Sequence, residues 1–213
     1  MRATEPAGRQ PLALFPLQAV LFPGGALSLK IFEARYLDLI ATCLREQSAF
    51  GVVALRSGHE VRLPDQAEVS FERVGTLAEL IDVDSDTPGI LQVKCRGGSR
   101  FAVTSSEQRS DGLWLAQTEP IPDDATLAPS PTQLASVHGL QEAIAAMKVQ
   151  GLEPFLAPHR FDDAGWVANR WCELLPISQA AKYRLMELAD PLARLQLVDD
   201  YLRGKGVIGG SAG

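Results

Sequence analysis

The sequence has little of what staples, charges or anchors a small fold. Its three cysteines, Cys43, Cys95 and Cys172, lie far apart and form no CxxC pair, which argues against a disulfide framework and a thiolate zinc site and fits a reducing cytoplasm. The three histidines, His59, His138 and His159, share no i, i+4 spacing and no HExxH, so they read as surface or capping residues, and no metal or other cofactor is expected. No apolar run reaches the roughly 18 residues of a membrane span, and Pro11, Pro16 and Pro23 break the stretch in which a signal peptide would keep its apolar core. Cations are not in excess: 20 Lys and Arg against 26 Asp and Glu give a net charge of -6, unhelpful to a protein that must neutralise phosphates. No GxxxxGK[ST] loop occurs, which removes the phosphate cradle of a P-loop ATPase.

What is present is the makeup of an ordinary soluble globular chain. With 213 residues, 46% hydrophobic and 22% charged, it is long enough for one or two domains with a sizeable core. From Leu12 to about Glu119 the texture is that of closely spaced strands. Leu91, Val93 and Cys95 alternate with Gln92, Lys94 and Arg96, the period of a strand with one buried face. A Gly97-Gly98 turn is expected to fold this strand into a hairpin with Phe101 and Val103. Val69 to Val83 is also strand-like, but its apolar phase slips near Gly75, the sign of bulges in a coiled sheet. Asp86, Pro88 and Gly89 supply one turn and Asp111-Gly112 another. Such strands read as a small barrel.

One helix interrupts them. Phe32, Tyr36, Ile40 and Leu44 stand four apart, joined by Leu37 and Cys43, and predict a helix from about Glu33 to Gln47 with that stripe inward. Pro120, Pro122, Pro129 and Pro131 then mark a boundary, after which Ala, Leu and Gln become frequent. Four helices are predicted beyond it: Leu134 to Val149, closed by Gly151; Asp163 to Leu175; Ser178 to Ala189, capped by Ser178; and Pro191 to Arg203, capped by Asp190. The expected class is therefore α+β, with a β-barrel domain over 10–122, a helical bundle over 130–203 and a flexible tail over 204–213.

Two motifs in that tail are accidents of its glycines. Gly204, Gly206 and Gly209 match GxGxxG, but after a helix and without the strand and following helix that the phosphate site needs. Gly209, Ser211 and Gly213 match GxSxG with no sheet to strain the turn. Asp82, Asp84 and Asp86 alternate like the start of a calcium loop but lack its glycine and distal glutamate, leaving a solvated strand end.

A larger set of residues is familiar. Leu14-Phe15-Pro16-Leu17, then Val20-Leu21-Phe22-Pro23-Gly24, then Leu29-Lys30-Ile31-Phe32-Glu33-Ala34-Arg35-Tyr36 resemble in order and spacing the opening of the Lon protease N-terminal, substrate-binding domain family. Val74-Gly75-Thr76 looks like that family's VGT strand, and Gly97-Gly98-Ser99-Arg100-Phe101 is similar to its G-x-x-R-F hairpin. Where many relatives have proline after the glutamate, this chain has Ala34, which loosens the helix start. The resemblance implies a PUA-like β-barrel followed by a helical bundle, in a stand-alone, non-proteolytic form without the ATPase and Ser-Lys peptidase modules. It also implies a non-catalytic module that binds exposed segments of client proteins. Phe22, Pro23, Glu33, Arg35, Tyr36 and Arg100 are its candidate binding residues; their plain alternative is core packing for Phe22 and Tyr36 and an Arg35 pairing with Glu33 or a strand carbonyl. A PUA-like nucleic-acid or small-ligand module is the rival, encouraged only by Lys94, Arg96, Arg100 and Arg109. The pure protein is accordingly expected to cleave no casein with or without ATP, a gel assay in which ATP-stimulated fragments would contradict the non-catalytic reading.

Overall fold

A computed structural model describes residues 10–57 and 69–209. Six strands form one sheet: β1 (Leu12–Leu17), β2 (Ala26–Ile31), β3 (Phe50–Ser57), β4 (Ser70–Thr87), β5 (Ile90–Gln108) and β6 (Trp114–Pro120). Their order is β2-β5-β4-β3-β1-β6, and β6 pairs a second time with β5. β1 runs parallel to β3, with Leu14 beside Gly51, while β3 with β4 and β6 with both neighbours are antiparallel. Helix α1 (Ala34–Glu46) lies between β2 and β3; α2 (Leu134–Val149), α3 (Ala164–Leu174), α4 (Gln179–Glu187) and α5 (Pro191–Gly204) follow the sheet. The chain divides into two compact units. The first holds residues to Gln18, Ser28–Cys95 and Ser99–Ile121; the second holds Ala19–Leu27, Arg96–Gly98 and the chain from Pro122.

In the first unit Leu14, Val53, Phe101, Val103 and Ala116 form a core cluster, with Phe71 and Trp114 packed against it and edge to face with each other, their centroids 5.2 Å apart. The Phe101 ring fills the space beside two glycines, since a Cβ on Gly75 would lie 2.4 Å from its Cζ and one on Gly51 2.7 Å. That close approach accounts for the glycine of the VGT segment. The phase slip near Gly75 is also real: the β3–β4 register shifts between Val53, opposite Gly75, and Leu55, opposite Phe71.

Two sequence expectations are corrected. Gly97 and Gly98 do not turn the chain, because β5 runs unbroken through them from Ile90 to Gln108. Gly97 instead admits another backbone, since a Cβ there would stand 2.1 Å from the Phe22 carbonyl oxygen. The stripe on α1 is also rotated. Tyr36, Leu39, Ile40 and Cys43 are buried, whereas Phe32 is 54% and Leu44 51% exposed. A helix advances 100° per residue, so strict steps of four drift off a face that pairs at three and four keep.

The second unit matches its sequence signals closely. Asp163 Oδ1 accepts from Gly165 and Trp166 N, Ser178 Oγ from Ala181 N, and Asp190 Oδ1 from Leu192 and Ala193 N, the side-chain caps that fix helix starts. Arg194, fully buried, spends its donors on Asp124 at 2.6 and 3.3 Å, on Asn169 at 3.0 Å, and on the Leu185 and Leu188 carbonyls. The segment after α5 departs from a free tail. Ile208 is only 7% exposed, and Gly139 in the middle of α2 leaves room for it, a Cβ there lying 2.8 Å from Ile208 Cγ2 and 3.4 Å from Trp171. Ile208→Ser is therefore expected to lower the melting temperature by several degrees, at about 1.5–3 kcal/mol for a buried isoleucine; an unchanged calorimetric melt would show that the docked segment adds nothing.

Candidate binding site

The sequence-selected residues fall in two places. Phe22 and Pro23 belong to the second unit, where Phe22 is fully buried. Phe22 to Gly25 is a tight turn closed by Gly25 N donating to Phe22 O at 2.9 Å. Pro23 stands at its second position, and Gly24 at its third has φ +72, the left-handed value that such a turn assigns to glycine. Gly24 N donates to Gly97 O at 2.7 Å and Gly97 N to Gly25 O at 2.9 Å.

Beneath this turn lies Arg170, whose importance the sequence reading missed. Its side chain is fully buried, and its Nη2 donates to Pro23 O at 3.1 Å and to Glu173 Oε1 at 2.8 Å. Nε and Nη1 are buried without a hydrogen-bond partner, but the guanidinium faces the rings of Phe155 at 5.6 Å and Trp166 at 5.7 Å, where cation–π attraction offsets part of the desolvation. Burial pushes the Glu173 carboxyl up from 4.5 to about 7, against the lowering influence of Arg170 and Lys182. The same burial lowers Arg170. The available signal was an arginine and an asparagine inside the apolar run from Trp166 to Cys172, since buried charge demands a partner.

Glu33, Arg35 and Tyr36 are brought together in the first unit. Arg35 Nη2 pairs with Glu33 Oε2 at 2.8 Å and Nη1 donates to Gly112 O at 2.7 Å, with the guanidinium 4.6 Å from the Tyr36 ring. Tyr36 stacks on Phe15, centroids 3.8 Å apart. Glu33 is the N-cap residue of α1, yet its side chain bonds Arg35 rather than the helix. Arg100 is 3% exposed and its carbonyl accepts from Ile121 N at 3.0 Å. Arg35, paired with Glu33, ties α1 to the Asp111-Gly112 turn, and Tyr36 and Arg100 are buried.

Solvent-facing concavity lies at the other end of α1. A groove of 380 Å³ is lined by Cys43, Leu44, Gln47, Ser48, Ala49, Glu79 and Leu80. The left-handed Gln47, φ 50, ends the helix, with Gln47 N and Ser48 N both donating to Cys43 O, and the chain then passes into β3 while β4 supplies the far wall. Half-exposed Leu44, rotated off the buried stripe, gives the groove an apolar lip. The groove is not built for nucleophilic chemistry: burial raises the Cys43 thiol, with Ser48 opposing and Glu46 adding, and buried Cys95 and Cys172 are both pushed up to about 12, so all three stay protonated near neutrality.

Of the histidines, His138 and His159 are exposed and His59 lies outside the described residues. Asp82 and Asp84 are exposed. Among the described residues no three His, Cys, Asp or Glu side chains group as metal ligands, and no helix is long and apolar enough to cross a membrane.

This sheet with its inserted helix and following helices is the fold of Lon N-terminal domains. The solved Lon N-terminal domain protein from Xanthomonas campestris superposes with a TM-score of 0.73 at 30% identity, covering 91% of this chain and 99% of that one. The N-terminal domain of Mycobacterium avium complex Lon protease shares the fold, with a TM-score of 0.59 at 14% identity over 91% of this chain and 98% of its own. The chain belongs to the ATP-dependent protease La (LON) substrate-binding domain family, whose model matches residues 11–204. It is also similar to Lon protease of Paraburkholderia phytofirmans, 26% identical over 200 residues, and of Anaeromyxobacter dehalogenans, 23% identical over 198. It covers 92% and 91% of itself in those matches but 24% and 23% of the relatives, about a quarter of their length.

The Glu173 carboxyl gives a pH test. Its folded value of about 7 lies above the ordinary 4.5, so between them the folded state holds more of its proton than the unfolded chain and stability falls as pH rises. In urea titrations from pH 4.5 to 7, the stability of the native chain relative to Glu173→Gln is expected to decline with pH; a difference independent of pH would place the carboxyl in an ordinary environment.

Proposed function

We propose that this chain is a non-catalytic module that binds segments of non-native protein. The observation that carries the reading is the substrate-binding domain match over residues 11–204. Its physical support is the groove at the end of α1, whose 380 Å³ falls in the range of about 300–1,000 Å³ that holds a ligand or a few side chains. Unfolded proteins expose the aliphatic and aromatic groups that such a lip of Leu44, Ala49 and Leu80 desolvates, and no covalent step is required. In this reading the six strands, whose pairing returns from β6 to β5, close as a PUA-like barrel domain over 10–122, and the helices over 130–203 form a bundle domain. Phe22, Pro23, Glu33, Arg35, Tyr36 and Arg100 enter it as the framework that holds turn and helix in place. A cytoplasmic setting agrees with three cysteines that form no disulfide. The net charge of -6 weighs against the nucleic-acid alternative.

Fluorescence anisotropy tests this directly. Labelled, reduced and carboxymethylated α-lactalbumin is expected to bind with a Kd in about the micromolar range, little changed between about 0.1 and 0.5 M salt, because burial rather than phosphate neutralisation supplies the affinity. Tight binding of a labelled RNA that collapses with salt, with none to the unfolded protein, would reverse the assignment.

A further inference from the structure

Helix α2 leaves its own apolar residues uncovered. From Gln141 to Val149 six of nine residues are apolar (Ala143, Ile144, Ala145, Ala146, Met147 and Val149), yet none is buried; the buried positions, Ser136, Val137 and Leu140, all lie in the first half. A helix apolar on most of its circumference is ordinarily enclosed. At 100° per residue, Leu134, His138, Gln141, Ala145 and Val149 fall within about 80° of one another, and all five are exposed, Val149 by 89% and Leu134 by 45%. Glu142 and Lys148 flank this face, one on each side at about 60° from Ala145. Both are exposed, and among the described residues neither side chain makes an ion pair or hydrogen bond. They stand six apart, a spacing at which one helix does not pair them.

We infer that this face of α2 docks on the same face of a second copy of the chain, the two helices antiparallel about a twofold axis at Ala145. The charges select that occupant. Glu142 and Lys148 lie three residues to either side of Ala145 and carry opposite signs, so the axis sets Glu142 of each copy against Lys148 of the other, two ion pairs from one symmetric contact. A parallel pairing would set like against like. The antiparallel one also lays Val149, the most exposed of the large hydrophobic side chains described, over Gln141 of the other copy, and at its centre two alanines bring only methyl groups, which lets the helix axes approach closely. A single face of a helix about 24 Å long covers less than the roughly 1,200 Å² of a stable interface. The dimer is therefore weak and reversible. It uses no residue of the α1 groove and does not depend on the peptide-binding reading.

Sedimentation equilibrium of the full chain tests this. Monomer and dimer are expected to interconvert with a Kd of about 10–100 µM. Ala145→Arg, at an exposed position, should weaken association about tenfold or more by forcing two cations together on the axis. Glu142→Lys and Lys148→Glu should each weaken it about tenfold, since each turns both ion pairs into like-charge contacts, and the double variant Glu142→Lys/Lys148→Glu should recover the native Kd. Damage to the fold by either substitution would not be repaired in that way. A chain that stays monomeric up to about 0.5 mM, a dimer indifferent to Ala145→Arg, or single charge variants that the double variant does not rescue overturns the inference.

Discussion

Arg170 carries a charge into the buried interior of the second unit, and its surroundings answer to that fact. A buried guanidinium is tolerated only with partners in fixed positions, and those partners are a carbonyl from the Phe22–Gly25 turn, a carboxylate one helical turn away and two aromatic rings. The turn in turn has to lie close. Gly25 has no room for a Cβ against Glu173 Oε1, which it would meet at 2.2 Å, and Gly97 has none against Phe22 O. This explains why Ala19–Leu27 and Arg96–Gly98, which precede the proline-marked boundary, group with the helices. Arg194 plays a comparable part between α3, α4 and α5, with every donor matched.

The features legible in the sequence were those written by neighbours along the chain. Ser178 and Asp190 announced two helices because a cap acts within three residues of itself, and Asp163, the expected start of a third, caps it in the same way. Asp111-Gly112 announced a turn that Gly112, at φ +89, adopts. Illegible were features whose cause lies far away in sequence. Gly97 and Gly139 carry the same local signal as any breaker, yet one makes way for a backbone 75 residues earlier and the other for Ile208. The groove was illegible for the same reason: Leu44 and Leu80 become neighbours only when α1 ends beside β4. Leu44 even counted as core, since a step of four fits a helix stripe until the true phase is known. Arg170 was overlooked as an ordinary charge within an apolar helix.

The candidate residues drawn from the family pattern and the groove drawn from the structure play complementary parts. The pattern marks where the backbone has no latitude: a proline and glycine turn, glycines under Phe101, an arginine clasped between Glu33 and Gly112. A site that accepts many sequences needs a rigid frame but a permissive surface, because preorganisation lowers the entropy lost on binding whereas close side-chain complementarity restricts the partner. In the proposed reading, the leucines, alanine and glutamine around the open groove are such a surface.

The three thiols acquire a further meaning from their placement. Cys43 lines the groove of the first unit, but Cys95 in that unit and Cys172 in the second are fully buried, each pushed up to about 12 by that burial. A thiol in that state reacts with an electrophile only when its surroundings open and it recovers ordinary acidity. The chain thus contains a native clock in each unit, and the rate at which a maleimide captures Cys95 or Cys172 counts the openings of that unit.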